Sequence, residues 1–384
     1  TGHFLQALQG KAVTADGVIT ANGVMAYVYD RVAKDLHSQQ TPHYGFLDGD
    51  GDFIFAAPAI KALKEKDNVD EDVLVSVPTP SAEVETIAID DLIGKTKECL
   101  SDNRYKIKLH DLFNQKLREV VALLTDERIK AQEGQFSEEE FVNRIKLYED
   151  FVKEIQLMTA CVAYWGNSDH YQLLSKSIAR VCDNLSPESG LVIWLSLRWY
   201  PVFLLLYSAG ISAVSANNYD ALATILTTKV QSPRNTYEMI EVAIPIGDAA
   251  AKLHDSFKRL PGHEKHYVPR SEYLFKLLQP GLDDLLFLGR EYELIFDRFE
   301  VFLALVYAEL EYNLENRIWA PLGRFGWKYK SRRGSGDVYS EIVKEAHKFG
   351  PEWPPLKAGL FSGSFDRFIE VSTKFEELMK GLNW

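Results

Sequence analysis

Cysteine is scarce in this chain of 384 residues: there are three, Cys99, Cys161 and Cys182, and no two lie close together. A disulfide scaffold or a zinc ribbon needs more of them at shorter spacing, so both are excluded, and free thiols suit a reducing cytosol. Basic residues are outnumbered, 43 against 55 acidic, for a formal net charge of −12. That balance argues against a chain that coats nucleic acid or anionic lipid, while a local basic patch stays open. No basic leader with an apolar core and a small-residue cleavage site follows Thr1. Internal repeats at a fixed period are absent as well. Only one apolar run, Leu191 to Ile211, is long enough to span a bilayer. Arg198 and Pro201 sit near its centre and no basic flank marks an end, so it reads as one or two helices buried in a helical core, with Arg198 paired inside. No membrane partner is expected, and the expected location is the cytoplasm.

What is present is a chain that can bury a large core, since 46% of its residues are hydrophobic. Its length fits two or three domains. Glycines crowd the first fifty-odd residues, around an apolar helix pattern from Val24 to Leu36 and a short apolar strand from Phe53 to Ala57. Residues 58–89 read as a connector, charge-rich at first and then broken by Pro78-Thr79-Pro80-Ser81. Residues 90–384 read as all-α, with Pro261-Gly262 dividing them into lobes 90–262 and 263–384. Tyr105 to Lys130 carries one apolar stripe, and Ser137 followed by Glu140 opens the next helix as a capping box. Further helices are expected at 169–184, 190–210, 217–230, 235–260, 270–279, 282–313, 337–348 and 364–381. The expected fold class is therefore mainly α, with a short α/β piece before about residue 57.

The N-terminal pieces occur in a characteristic order. Gly2-His3-Phe4-Leu5-Gln6-Ala7-Leu8 is followed by Ala15-Asp16-Gly17-Val18-Ile19-Thr20, then by the helix pattern Ala26-Tyr27-Val28-Tyr29-Asp30-Arg31-Val32. Gln40-Thr41-Pro42-His43-Tyr44-Gly45 and Gly51-Asp52-Phe53-Ile54-Phe55 close the series. This order resembles the C-terminal end of a prokaryotic caspase-like cysteine peptidase domain, over about residues 1–57. Leu5 and Asn22-Gly23 depart from the family pattern. The resemblance implies a parent protein that cleaves peptide bonds through an acyl-enzyme thioester. The catalytic histidine and cysteine of that family lie upstream of the matched segment, so no catalytic residue is carried onto this chain. Phe53-Ile54-Phe55 is apolar on both faces and needs neighbouring strands, so the parent sheet is expected before Thr1. The chain alone is expected to be inactive. Its implied partners are the missing N-terminal peptidase portion and the peptide or protein substrate of the parent. A protein or nucleotide trigger, a homo-oligomer and a regulatory or sensor role in bacterial defence are further expectations, the last by analogy.

Other constellations are weaker. Asp48, Asp50 and Asp52 alternate with glycines, but Phe53 and Ala59 occupy positions where a calcium loop needs Gly and Glu. Thr1 as an N-terminal nucleophile would need a strand, and an apolar helix follows it. His254, His263 and His266 cluster around Pro261 and read as a solvated loop. Glu293, Asp297 and Glu300 share a helical stripe, with Arg290 and Arg298 as expected partners. No metal or other cofactor is expected. From Arg317 to Arg333 six cations and no acid interleave with four aromatics, as in sites that hold nucleotides or single strands. Arg324, Trp327, Lys328, Lys330, Arg332 and Arg333 are the candidate ligand-binding residues. The competing reading is a loop whose tryptophans dock on the core while its cations face water. A helical binding or oligomerisation module, with no peptidase ancestry, is the alternative function.

Overall fold

The computed structural model describes residues 89–125, 129, 136–185, 190–233, 235, 237–315, 318–331 and 337–382. In the N-terminal part it describes residues 6, 7, 19, 20, 24, 25, 27, 28, 31, 32 and 54–56. Most of the 58–89 segment, the Asp48 to Asp52 turn and Thr1 lie outside the described residues. The chain divides into two compact units, Thr1–Ala82 and Glu83–Trp384.

In the first unit, β1 (Ile19–Thr20) pairs antiparallel with β2 (Ile54–Ala56), joining Ile19 to Ala56 and Thr20 to Ile54 across an irregularity. The expected apolar strand is found at β2, and its partner is a second strand that sequence patterning did not reveal. Residues 24, 25, 27, 28, 31 and 32 are helical, within the expected helix. Ala7 and Val24 are buried there, with Tyr27 and Val28 packed against them.

The second unit is mainly helical. Its helices are α1 (Ile89–Ser101), α2 (Lys106–Leu124), α3 (Glu138–Trp165), α4 (Tyr171–Cys182), α5 (Val192–Leu197), α6 (Tyr200–Ser215) and α7 (Tyr219–Thr227). A hairpin of β3 (Lys229–Gln231) and β4 (Met239–Glu241) follows, then α8 (Ala243–Leu253) and α9 (Pro269–Leu286). The chain ends with α10 (Tyr292–Glu315), α11 (Arg324–Ser331), α12 (Val338–Phe349), α13 (Pro354–Lys357) and α14 (Phe365–Lys380). Side-chain caps open several of these, as Ser137 Oγ does by accepting from Glu140 N, and Asp337 Oδ1 by accepting from Ser340 N.

The helix α6 is the axis of the core. Every residue from Tyr200 to Val214 is buried, and α3, α7, α9 and α10 pack on it. By length and composition Val192–Ser215 is long and apolar enough to cross a membrane, yet 72% of its window is buried inside the fold. Of the one or two helices expected, the structure forms two, and Pro201, which suits a helix's first turn, starts α6. Arg198 is half-buried at the C-cap of α5. Gly210 lets α10 approach α6 closely: a Cβ there would stand 2.0 Å from the Phe299 ring. Full burial of each large side chain in such a core is worth roughly 1.5–3 kcal/mol.

Three expected helices change. The 235–260 span starts with the β3–β4 hairpin, and α8 then runs into a 3-10 turn, His254–Arg259. The strands are three residues each, too short for an alternation pattern to register. The 270–279 helix does not stop at Pro280 but continues to Leu286, because Leu278, Leu282 and Leu285 on either side of it are buried. Packing there outweighs the lost backbone hydrogen bond. The 282–313 helix accordingly starts later, at Tyr292. Helices from both sides of Pro261-Gly262 share one core, since α6 and α8 both pack on α10.

Candidate ligand-binding site

The helix α11 lies within the stretch expected to carry a basic, aromatic surface, and its Arg324 and Lys328 point inward. Arg324 and Lys328 are each only 7% exposed. Lys328 Nζ donates to Glu293 Oε1 at 2.6 Å and, more closely, to Asp297 Oδ2. Arg324 pairs with Glu272 Oε2 and Glu293 Oε1, both at 3.1 Å, and its guanidinium lies 3.6 Å above the Phe275 ring. Trp327 is half-buried, and its Nε1 donates to Glu272 Oε1 at 3.3 Å. Lys330 Nζ donates to the Leu382 carbonyl. Arg332 and Arg333 lie outside the described residues. Of the four candidates described, Arg324, Trp327 and Lys328 therefore meet around acids of their own chain, and Lys330 is tied to the C-terminal end. Among the described residues, Arg324 and Lys328 form neither an open basic patch nor a solvated loop, and Trp319 docks edge-on against Tyr307, 5.6 Å between centroids.

The acidic stripe of α10 is the counterpart. Glu293 and Asp297 take α11 cations instead of Arg290 and Arg298, and Arg298 pairs with Glu345 on α12 at 2.7 Å. The pairing follows from spacing: cations four residues apart on α11 face acids four residues apart on α10. Hydrogen bonding from Lys328 holds the Glu293 carboxyl below its ordinary value. Asp297 is 1% exposed, and burial pushes its carboxyl up to about 6 despite Lys328.

Glu300 lies at the centre of this seam. Tyr207 Oη donates to its Oε1 at 2.8 Å, while Ser271 Oγ and Arg324 N donate to Oε2 at 2.7 and 2.9 Å. The carboxylate thus accepts the first amide of α11, where a helix favours negative charge. Gly323 makes room for it, because a Cβ at that position would stand 1.9 Å from Oε2. Tyr207 also accepts from Arg270 Nη1 at 2.8 Å, and burial raises its phenol far above the ordinary value.

Arg270 is where the seam reaches solvent. It is 5% exposed and lies 5.3 Å from the Phe203 ring centroid. No described carboxylate forms an ion pair with it, and its Nε is buried without a hydrogen-bond partner. Arg270 lines an open cleft of about 640 Å³, with His254, Lys258, His266 and Trp319 among the other walls. A second hollow of about 450 Å³ shares Ala251 and Trp319 with it. Burial lowers the His254 imidazole, aided by Arg270 and Lys258. His263, expected in a solvated loop, is buried instead, with its ring edge-on to Tyr273 at 5.4 Å.

Sequence reasoning missed Arg270, Ser271 and Tyr207. Pro269-Arg270-Ser271-Glu272 reads as a polar helix start, and only tertiary packing buries it. Among the described residues no group of three or more His, Cys, Asp or Glu side chains is arranged to hold a metal. The thiols are protonated: burial pushes Cys161 up to about 12 and also raises Cys99 and Cys182. Compared with known proteins, the chain matches no family model, no curated protein and no solved structure.

Proposed function

We propose that the helical unit is a regulatory module that recognises a ligand, attached to the C-terminal end of a caspase-like cysteine endopeptidase that acts in the cytoplasm, with a role in bacterial defence. The single observation that carries the recognition role is the cleft beside Arg270, a buried cation whose side chain is left without a carboxylate. Support for a non-catalytic role comes from the thiols. A Cys–His dyad needs a thiolate, and burial keeps Cys99, Cys161 and Cys182 in the neutral form. On this reading the catalytic dyad belongs to upstream residues, the parent's substrate is a peptide or protein, and the trigger acts through the helices.

A helical binding module without peptidase ancestry is the second reading. It is favoured by the pairing of β2 with β1, which gives the apolar strand a neighbour within the chain. One labelling experiment separates the two. A peptidyl acyloxymethyl ketone is applied to this chain and to the longer polypeptide that includes the residues encoded upstream. The peptidase reading expects an adduct on an upstream cysteine and none on Cys99, Cys161 or Cys182. An adduct on any of these three would overturn the regulatory role, and no upstream adduct would leave the second reading.

A further inference from the structure

We infer that the cleft beside Arg270 binds the single oxyanionic head, phosphate or carboxylate, of a small ligand whose body lies against Trp319. The inference rests on reading the helical unit as a recognition module and names the chemistry that it recognises.

The geometry starts from the guanidinium. Its Nη1 is committed to Tyr207 Oη at 2.8 Å. Nη2 makes no hydrogen bond among the described residues, while Nε is sealed from solvent without a partner. Nη2 can donate to one oxygen of a carboxylate or phosphate, and such charge-assisted bonds are among the strongest polar contacts a protein makes. Tyr207 and the Phe203 ring hold the group in place beforehand, so little freedom is lost when a ligand arrives. A buried arginine without a carboxylate is costly, and its charge is answered only indirectly, through Tyr207 to Glu300.

The surrounding charges favour one anionic head and no more. Lys258, Lys265 and Arg270 line the cleft against Asp255 and Glu264. Asp255 is already paired with Lys258 at 2.8 Å, and Glu264 accepts from Gly262 N at 3.1 Å. Lys265 is exposed and makes no ion pair among the described residues. The adjoining hollow carries Asp248 and Glu311 beside Lys252, which disfavours a second anion there. An apolar or aromatic body fits this layout, with Trp319 and Ala251 bridging the two spaces.

The test titrates the whole chain by calorimetry with phenyl phosphate and, separately, benzoate, at low salt. One equivalent of at least one probe should bind with a Kd below about 1 mM. Tighter phenyl phosphate assigns the head as phosphate, and tighter benzoate assigns it as carboxylate. Arg270→Lys keeps the charge but loses the planar donor that holds Tyr207 and the ligand together, and should weaken binding about tenfold or more. Ala251→Trp changes an exposed position and fills the cleft, so it decides the matter even where the arginine variant fails to fold. It should abolish binding. Failure of both probes to bind with a Kd below about 1 mM, or an unchanged affinity in either folded variant, overturns the inference. Either result leaves the cysteine labelling experiment to be judged by itself.

Discussion

Glu300 and Arg270 both bond to the same phenol, that of Tyr207, and the fold treats them in opposite ways. Glu300 is saturated: Tyr207, Ser271 and the first amide of α11 all donate to it, and Gly323 is trimmed to fit it. Arg270 is left half-used beside a cleft, with one donor on Tyr207 and no acceptor for Nε or Nη2 among the described residues. A fully satisfied buried group holds a fold together. A buried group left short of partners costs stability, so its retention points to something that completes it. Glu300 and the bonds it accepts are therefore assigned to stability, and the cleft end at Arg270 to recognition.

Substitutions can break this division. The largest loss is expected from Glu300→Ala, which strands the donors of Tyr207, Ser271 and Arg324 and should cost about 3–5 kcal/mol in urea unfolding. Gly323→Ala should cost about 1–3 kcal/mol, because the new methyl must displace the Glu300 carboxylate. A loss from Gly323→Ala as small as that of a surface change would mean that the carboxylate is not tightly seated. Asp297 should make stability depend on pH. Its folded carboxyl titrates at about 6, above the ordinary 3.8, so its contribution is full below pH 3.8 and is lost as pH rises through about 6. Asp297→Asn should flatten the stability profile between those limits, and an unchanged slope would remove Asp297 as its source. The smallest effect is expected at the recognition end: Ala251→Trp should leave the unfolding free energy within about 0.5 kcal/mol of wild type.

Much of the helical architecture was legible in sequence. The apolar stripe of α2, the Ser137 cap of α3 and the Pro201 start of α6 are local signals, and local physics reproduces them. The site was harder to read. Arg324 and Lys328 look like surface cations on their own helix, and Glu293 and Asp297 look like surface acids on theirs. The matching four-residue spacing on two helices was the available signal, but it becomes meaningful only once the helices are known to be neighbours. Arg270 gave no signal at all, since burial by α6 and the path of residues 318–322 are tertiary facts. The β3–β4 hairpin escaped because three-residue strands are too short to show a period.

The most direct test of the division is a crystal structure of the chain grown with whichever probe binds more tightly. An oxyanion oxygen should lie about 3 Å from Nη2 of Arg270, with Nη1 still on Tyr207. An anion bound elsewhere, or an Arg270 guanidinium that turns onto a carboxylate of its own chain, would contradict the assignment of this cleft to recognition.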